Sequence, residues 1–276
     1  MMNATCRPTR PVTTPIHGVT SHHGDGPSMV IDRDPFVQVP SEATAGSLQQ
    51  DLTFDELQSV LRIAQSGAVY PYVVATVEAQ PDGTLAHHGC GPNLQGGLIT
   101  LSTCKHHMRS YGTIRSGTSV WIAGVTPGGT VRARSRHLFY LMRIGVRAAS
   151  HAEMWRLLPE EARLAKSATS HVLGDVIEPL DDELRGPAAW DHENYVPPTP
   201  GHSHDGGTPP AWHRDIEVNF NGRRPALLVG DPEFSFVWNR PLIRLREGDG
   251  RLPRNPLSSP TLADFIERLA PQAGVR

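Results

Sequence analysis

The chain places a thiol and an ammonium side by side. They are Cys104 and Lys105, near the end of Cys90-Gly-Pro-Asn-Leu-Gln-Gly-Gly-Leu-Ile-Thr-Leu-Ser-Thr-Cys-Lys-His-His-Met-Arg109. In that run a glycine-rich loop leads into a short β-type strand, which stops at a cluster of nucleophiles and cations. Lysine is scarce: Lys105 and Lys166 are the only two, and arginine carries the remaining basic load. An ε-ammonium beside a thiol at a strand end lowers the thiol pKa or serves as a compact anion-binding charge. The plain alternative is a small buried cysteine followed by a solvated lysine at a helix start. Asn93, Gly96, Gly97 and Arg109 favour the chemical reading, because a glycine-rich turn offers backbone donors near the same place. Gly-Pro-Asn-x-x-Gly-Gly is neither a Walker loop nor a dinucleotide fingerprint, since no Gly-Lys-Ser/Thr and no GxGxxG-helix follows.

A second cluster is His202-Ser-His204-Asp205 with His213-Arg-Asp215. An extended His-x-His puts both imidazoles on one face, a spacing that chelates a metal, with Asp205 or Asp215 as a further ligand or as a base. Against this, the chain holds 14 histidines, several in plain pairs, and zinc takes a tighter set of three or four ligands. The metal and the cofactor are therefore left unknown. A third group is Trp190, Asp191, Asn194 and Tyr195. Asp and Asn beside aromatics in a long loop either read a base edge while a ring stacks on its face, or form a turn plugged to the core. Arg143, flanked by Met142 and Ile144 in an apolar strand, is an edge-exposed residue or an anion clamp.

Positioning these groups falls to a short list of elements. Thr53-Phe-Asp-Glu56 is a capping-box pattern, with Leu57, Val60, Leu61 and Ala64 spaced for one helix face and Gly67 as the stop. Tyr72–Val77, Leu98–Thr103, Ser119–Val125, His137–Val146, Arg224–Gly230 and Phe234–Trp238 have strand character. The fourth is apolar on both faces and therefore central. Ser150-His-Ala-Glu153 repeats the capping pattern before a helix with Met154, Trp155 and Leu158. Thr261 to Leu269 is a closing amphipathic helix. Gln80 to Gly97 and Asp181 to Arg214 read as long loops. Strands outnumber helices without βαβ alternation. The expected class is α+β with a mainly antiparallel, barrel-like sheet and a few flanking helices. Residues 1–48 are rich in Pro, Thr, Ser, Gly and His and read as a disordered or extended segment, leaving one domain over 49–276.

Composition bounds the function. Apolar content of 38% and charged content of 20% are ordinary for a soluble protein. A formal net charge of −2 argues against coating nucleic acid through bulk electrostatics. Three widely spaced cysteines indicate neither a disulfide framework nor a zinc ribbon. With no membrane-length apolar run and no signal-peptide core, a soluble, cytoplasmic chain is expected; the oligomeric state is unknown.

Taken in order, these motifs resemble a known family. A Val-Val strand leads to Gly-Pro-Asn-x-x-Gly-Gly, Leu-x-Thr-Cys-Lys, Trp-Ile-Ala-Gly and Leu-x-Tyr-x-Met-Arg-Ile. An acidic-Met-Trp helix follows, then Asp-x-x-Asn-Tyr, His-Ser-His-Asp, His-Arg-Asp and Leu-Leu-Val-Gly. This order resembles the nucleotide modification associated domain 2 family, over roughly Tyr72 to Trp238. The sequence departs from it at Ser119-Val120, where the family has Gly-Asp, and at Phe234-Ser-Phe-Val-Trp238. The resemblance implies a phage- or bacteria-associated role in making or handling altered DNA bases, and the element order is reminiscent of PUA and EVE-type base-binding barrels. On that reading Lys105 and Arg109 hold phosphate. Cys104, His204, Asp205 and Asp215 supply nucleophilic or acid–base chemistry, and Asn93, Trp121 and Tyr195 line the site for a nucleotide or extruded base. The alternatives are a non-catalytic reader of modified or single-stranded nucleic acid, and a metal-dependent hydrolase using the His/Asp cluster.

Overall fold

Along the chain the elements are β1 (Val37–Gln38), β2 (Gln49–Gln50), α1 (Phe54–Leu61), β3 (Ala68–Val73), β4 (Val77–Ala79) and β5 (Leu85–His87). Next come β6 (Thr100–Leu101), α2 (His106–Arg109), α3 (Gly112–Ser116), β7 (Val120–Val125), β8 (Leu138–Ala148), α4 (His151–Leu157) and α5 (Glu160–Ala168). After the single-turn helices Gly186–Trp190 and His192–Asn194, the chain closes with α6 (His213–Glu217), β9 (Leu227–Val237), β10 (Ile243–Leu245), α7 (Leu262–Glu267) and β11 (Leu269–Pro271). The structure, a computed structural model, describes residues 37–38, 48–62, 66–130, 135–170, 172–198, 212–246 and 260–272. His202, His204 and Asp205 lie outside the described residues, as does most of the segment before residue 49. The described part of that segment is not idle: β1 pairs with β5, and Leu48 is buried in the core.

The principal sheet runs β2-β9-β8-β7-β3, with β6 added onto β9. Its centre is antiparallel, whereas the two ends of the path are parallel pairs, β2 on β9 and β3 on β7. The α+β class holds. The sheet is mixed, and among the described residues its path does not close into a barrel. β8 lies between β7 and β9 and is buried along its first half, as its two apolar faces predict. The strand expected at Tyr72–Val77 lies earlier: β3 spans Ala68–Val73 and runs through Pro71, and a turn at Ala75–Thr76 separates it from β4 at Val77. Proline is tolerated there because, among the described residues, β3 ends the path of the sheet, so no further strand needs the missing N–H. The two strands expected at 224–230 and 234–238 are the arms of β9. Between the pairs Met142–Ser235 and Ile144–Gly230 the register jumps, so Asp231 to Phe234 bulge out opposite Arg143.

Alternation along the central strands sorts the core into two faces. Val120, Ile122, Tyr140 and Met142 join Tyr70, Tyr72 and Ile99 on one face, with Cys104 packed against them. Trp121, Ala123, Leu141 and Phe236 join Leu57, Leu61 and Phe265 on the other, under α1 and α7. α1 starts with the capping box its sequence suggests, and α7 has one as well: the hydroxyls of Thr53 and Thr261 accept from the backbone N–H of Glu56 and Asp264. Gly124 makes room for Tyr140, since a Cβ there would sit 2.1 Å from that ring.

Candidate functional site

β6 runs out into Ser102-Thr103-Cys104, and two buried ionic groups fix that stretch. Asp175, from the stretch after α5, accepts from the backbone N–H of Ser102 at 2.7 Å and from the hydroxyl of Thr100 at 2.7 Å. The Ser102 hydroxyl donates to the Asp175 carbonyl. Burial pushes the Asp175 carboxyl up, to about 6, while the Ser102 and Thr100 donors pull it back toward the charged form. Arg109, at the end of α2, donates to the carbonyls of Cys104 (2.7 Å), Ala226 (2.7 Å) and Thr103 (3.2 Å). Its guanidinium is buried and spent on main-chain oxygens. Burial lowers it to about 10, which leaves it cationic at neutral pH, with Asp215 and Asp175 favouring the charge. Arg109 is therefore a clamp on the strand end and does not present a phosphate-binding fork.

The glycine-rich loop likewise has the opposite polarity to the one expected. It wraps the buried ammonium of Lys166, which donates to the carbonyls of Leu98 (2.7 Å), Gln95 (2.9 Å) and Asn93 (3.0 Å), with Asn93 Oδ1 at 3.4 Å. Carbonyl oxygens, not N–H groups, converge here, so the loop cradles a cation. Gly96 is required for the fit: its φ is +70°, and a Cβ would stand 2.6 Å from the Cα of Ala162 on α5. Burial pulls the Lys166 ammonium down, to about 7, while the ring of acceptors and nearby Asp175 favour the charged form. Asn93 is buried and bonded within this network, through Oδ1 to the Gln95 N–H at 2.9 Å and through its carbonyl to Thr100. It holds the loop and does not line an open site.

Upstream, His87 is buried with Nε2 2.6 Å from the Pro92 carbonyl, so Nε2 carries the hydrogen. Burial lowers its pKa to about 4. A depressed pKa gives stability that is present above about 6.5 and is lost as pH falls through 4. The full loss corresponds to about 3 kcal/mol. His87→Gln should remove that component. In urea titrations at pH 7 and 4.5, the wild type should lose markedly more stability than the variant, and equal losses would show that His87 titrates normally.

Beyond the strand end the reactive groups gather. Lys105 is exposed in left-handed backbone, φ 60°, with Nζ 4.9 Å from the centroid of Tyr72. Such a conformation costs about 1–2 kcal/mol for a non-glycine residue and persists only where neighbours impose it. Tyr140 donates to the Tyr72 hydroxyl at 2.8 Å, and burial raises both phenols well above their usual range, keeping them neutral. Immediately after Lys105, His106 places Nε2 2.6 Å from Oδ1 of Asp215. The imidazole is 19% exposed and the carboxylate 0%, so one end of the pair faces outward and the other is anchored. The downstream segment docks here through three contacts: Asp215 on His106, Phe220 stacked on His107 at 4.6 Å, and Ala226 on Arg109. The structure thus brings Cys104, Lys105 and Asp215 to one place.

Other expected site residues fall elsewhere. Trp121 is wholly buried on the far face of the sheet, edge-on to Phe234 at 6.0 Å, and does not line the site. Arg143 shares that face, pairing with Asp231 at 2.5 Å and covering the Phe234 ring at 3.8 Å. It braces the β9 bulge and is not a clamp for a ligand. Asp191 and Asn194 close their own turn: Asp191 accepts from the Glu193 N–H, and Asn194 donates to the Ala188 carbonyl. Tyr195 is buried, its hydroxyl donating to the Ala189 carbonyl at 2.7 Å. Among the described residues no three His, Cys, Asp or Glu side chains are grouped to hold a metal, and no helix is long and apolar enough to cross a membrane.

Four participants were not singled out by sequence: His106, Tyr72, Asp175 and Cys90. The signal for His106 was its place directly after Cys-Lys. For Cys90 it was its place at the head of the same run, which ends with its sulfur 3.1 Å from that of Cys104. No family model, curated protein or solved structure matches the chain.

Proposed function

We propose that the end of β6 handles a nucleotide or an extruded base. In this reading Lys105 offers the charge for a phosphate, Cys104 the nucleophile, and the His106–Asp215 pair an acid–base group. The observation that carries it is the pair itself: Asp215, from the other half of the chain, closes on His106 at 2.6 Å beside the Cys-Lys step. The buried carboxylate acts on the imidazole as a close negative charge, an arrangement suited to moving a proton. Arg109 and Asp175 contribute by holding the strand end rigid, since such groups act only when held within fractions of an ångström.

The nucleotide half of the proposal rests on the order of motifs from Tyr72 to Trp238 and on an exposed lysine over a buried tyrosine pair. A base-holding barrel is not invoked, because among the described residues the six-stranded sheet is open.

The test uses Lys105→Asn, as asparagine tolerates left-handed backbone better than most residues. Fluorescence titration with modified deoxynucleoside monophosphates and short single-stranded oligonucleotides should show saturable binding. The variant should weaken it about ten- to hundredfold, the worth of one charged contact. Product formation is followed by mass spectrometry, and binding without product would assign the reader role. Unaltered binding by the variant would remove Lys105 from the site.

A further inference from the structure

We infer that Cys90 and Cys104 form a two-electron redox pair, which a hydroperoxide closes into an intramolecular disulfide and a thiol reductant reopens. The inference rests on the two sulfurs and holds whatever the site's substrate proves to be.

Both residues are thiols here, yet their sulfurs stand only 3.1 Å apart. A disulfide needs about 2.05 Å, so closure asks for roughly one ångström of approach. The backbones are already laced together. Thr103 donates its hydroxyl to the Cys90 carbonyl at 3.1 Å, and Asn93 and Thr100 exchange both main-chain bonds at 3.0 and 2.9 Å. Side-chain rotation therefore suffices, and β6 keeps its pairing.

The pair is also asymmetric in the way a sensor requires. Cys90 is 2% exposed, whereas Cys104 is partly exposed. Arg109 lies beside it, buried and cationic, with Nε on the Cys104 carbonyl at 2.7 Å. That guanidinium interacts electrostatically with the Cys104 sulfur, and a buried positive charge favours the thiolate, the form that reacts with peroxide.

The chemistry balances in two steps. The Cys104 thiolate attacks the terminal oxygen of the hydroperoxide: an S–O bond forms, the O–O bond breaks, and the alkoxide leaves as alcohol with the proton from Cys104. The Cys90 sulfur then attacks the sulfenic sulfur: the S–S bond forms, S–O breaks, and hydroxide leaves as water with the Cys90 proton. Two thiols are oxidised by two electrons in total, and one peroxide is reduced.

The test treats the full-length protein with a small excess of hydrogen peroxide at neutral pH, followed by alkylation and non-reducing peptide mapping. The expected product is one crosslinked peptide pair, Cys90 to Cys104, about 2 Da lighter than the sum of its thiols and reversed by dithiothreitol. Closing that short loop should raise Tm by about 5–10 °C. In Cys90→Ala, Cys104 should instead collect one to three oxygens, having lost its resolving partner. Three results overturn the inference: Cys90 and Cys104 both still alkylated after peroxide, Cys104 joined to Cys6, or Cys104 joined to a second chain. Should Cys90→Ala fail to fold, the wild-type map decides alone. None of these readouts depends on nucleotide binding or turnover, so failure here and failure of the proposed function are told apart.

Discussion

Lys166→Met should cost about 3–5 kcal/mol of stability, the range for removing one partner from a buried ionic group. The methionine fills much the same volume, so the loss is not one of packing. It comes from stranding the carbonyls of Asn93, Gln95 and Leu98, which now converge on Nζ within 3.0 Å and point at one another without it. Asp175 also loses one of the two buried cations that pull it toward ionisation, the other being Arg109. A domain of this kind is stable by only about 5–15 kcal/mol, so much of its margin would go. Urea unfolding followed by tryptophan fluorescence measures the effect. Lys166→Met with the wild-type midpoint would mean that the loop relaxes or that water replaces Nζ at no cost. The companion change Lys105→Met, on the chain's other lysine, should leave the midpoint nearly unmoved because that ammonium is exposed. The contrast separates the lysine that builds the loop from the one offered to a ligand.

That contrast also marks where the sequence was legible. Strand period, capping boxes and the doubly apolar run at 137–146 are local, and they place β7, β8, α1 and α7 within a few residues. β3 was placed too late, at Tyr72–Val77, because Pro71 reads as a break unless the strand is known to be an edge, and because the β-branched run continues past Val73 into a turn. β5 was missed inside a loop because Leu85-Ala-His87 is too short to show a period. At the site, residue types identified Cys104, Lys105 and Asp215 as reactive, but types carry no direction. A glycine-rich turn shows donors on one side and acceptors on the other, and only the packing of α5 reveals that the carbonyls face Lys166. Arg109 has the same ambiguity, since a guanidinium suits phosphate and main-chain oxygens alike. The far-face placement of Trp121 was recoverable: it alternates with Val120 and Ile122, so it cannot share their face of the sheet. The meeting of His106 with Asp215 was not, because it depends on how the segment after residue 211 returns to α2.

Asp215→Asn tests that meeting most directly, and its expected effect is a loss of turnover of about 10²–10⁴-fold, the usual worth of a positioned acid–base group. The amide keeps the volume of the carboxyl and still reaches His106, so the segment at 213–226 should remain docked through Phe220 on His107 and Ala226 on Arg109. What it loses is the buried negative charge beside the imidazole, which on the proposed reading assists proton transfer and which also favours the charged form of Arg109. Binding should therefore change little, because Lys105 and the Tyr72–Tyr140 pair are untouched. His106→Gln should give a similar loss, and the double variant should be hardly worse than either, since residues that act as one unit are strongly non-additive. The measurement is single-turnover product formation by mass spectrometry, with nucleotide binding measured on the same samples. Wild-type rates in both single variants would end the acid–base assignment and leave Cys104 to act unaided. Full additivity in the double variant would show that His106 and Asp215 serve separate purposes. A drop in binding equal to the drop in rate would make the pair part of the ligand's seat, and the carboxylate's role would then be to set the position of α2 beside Lys105.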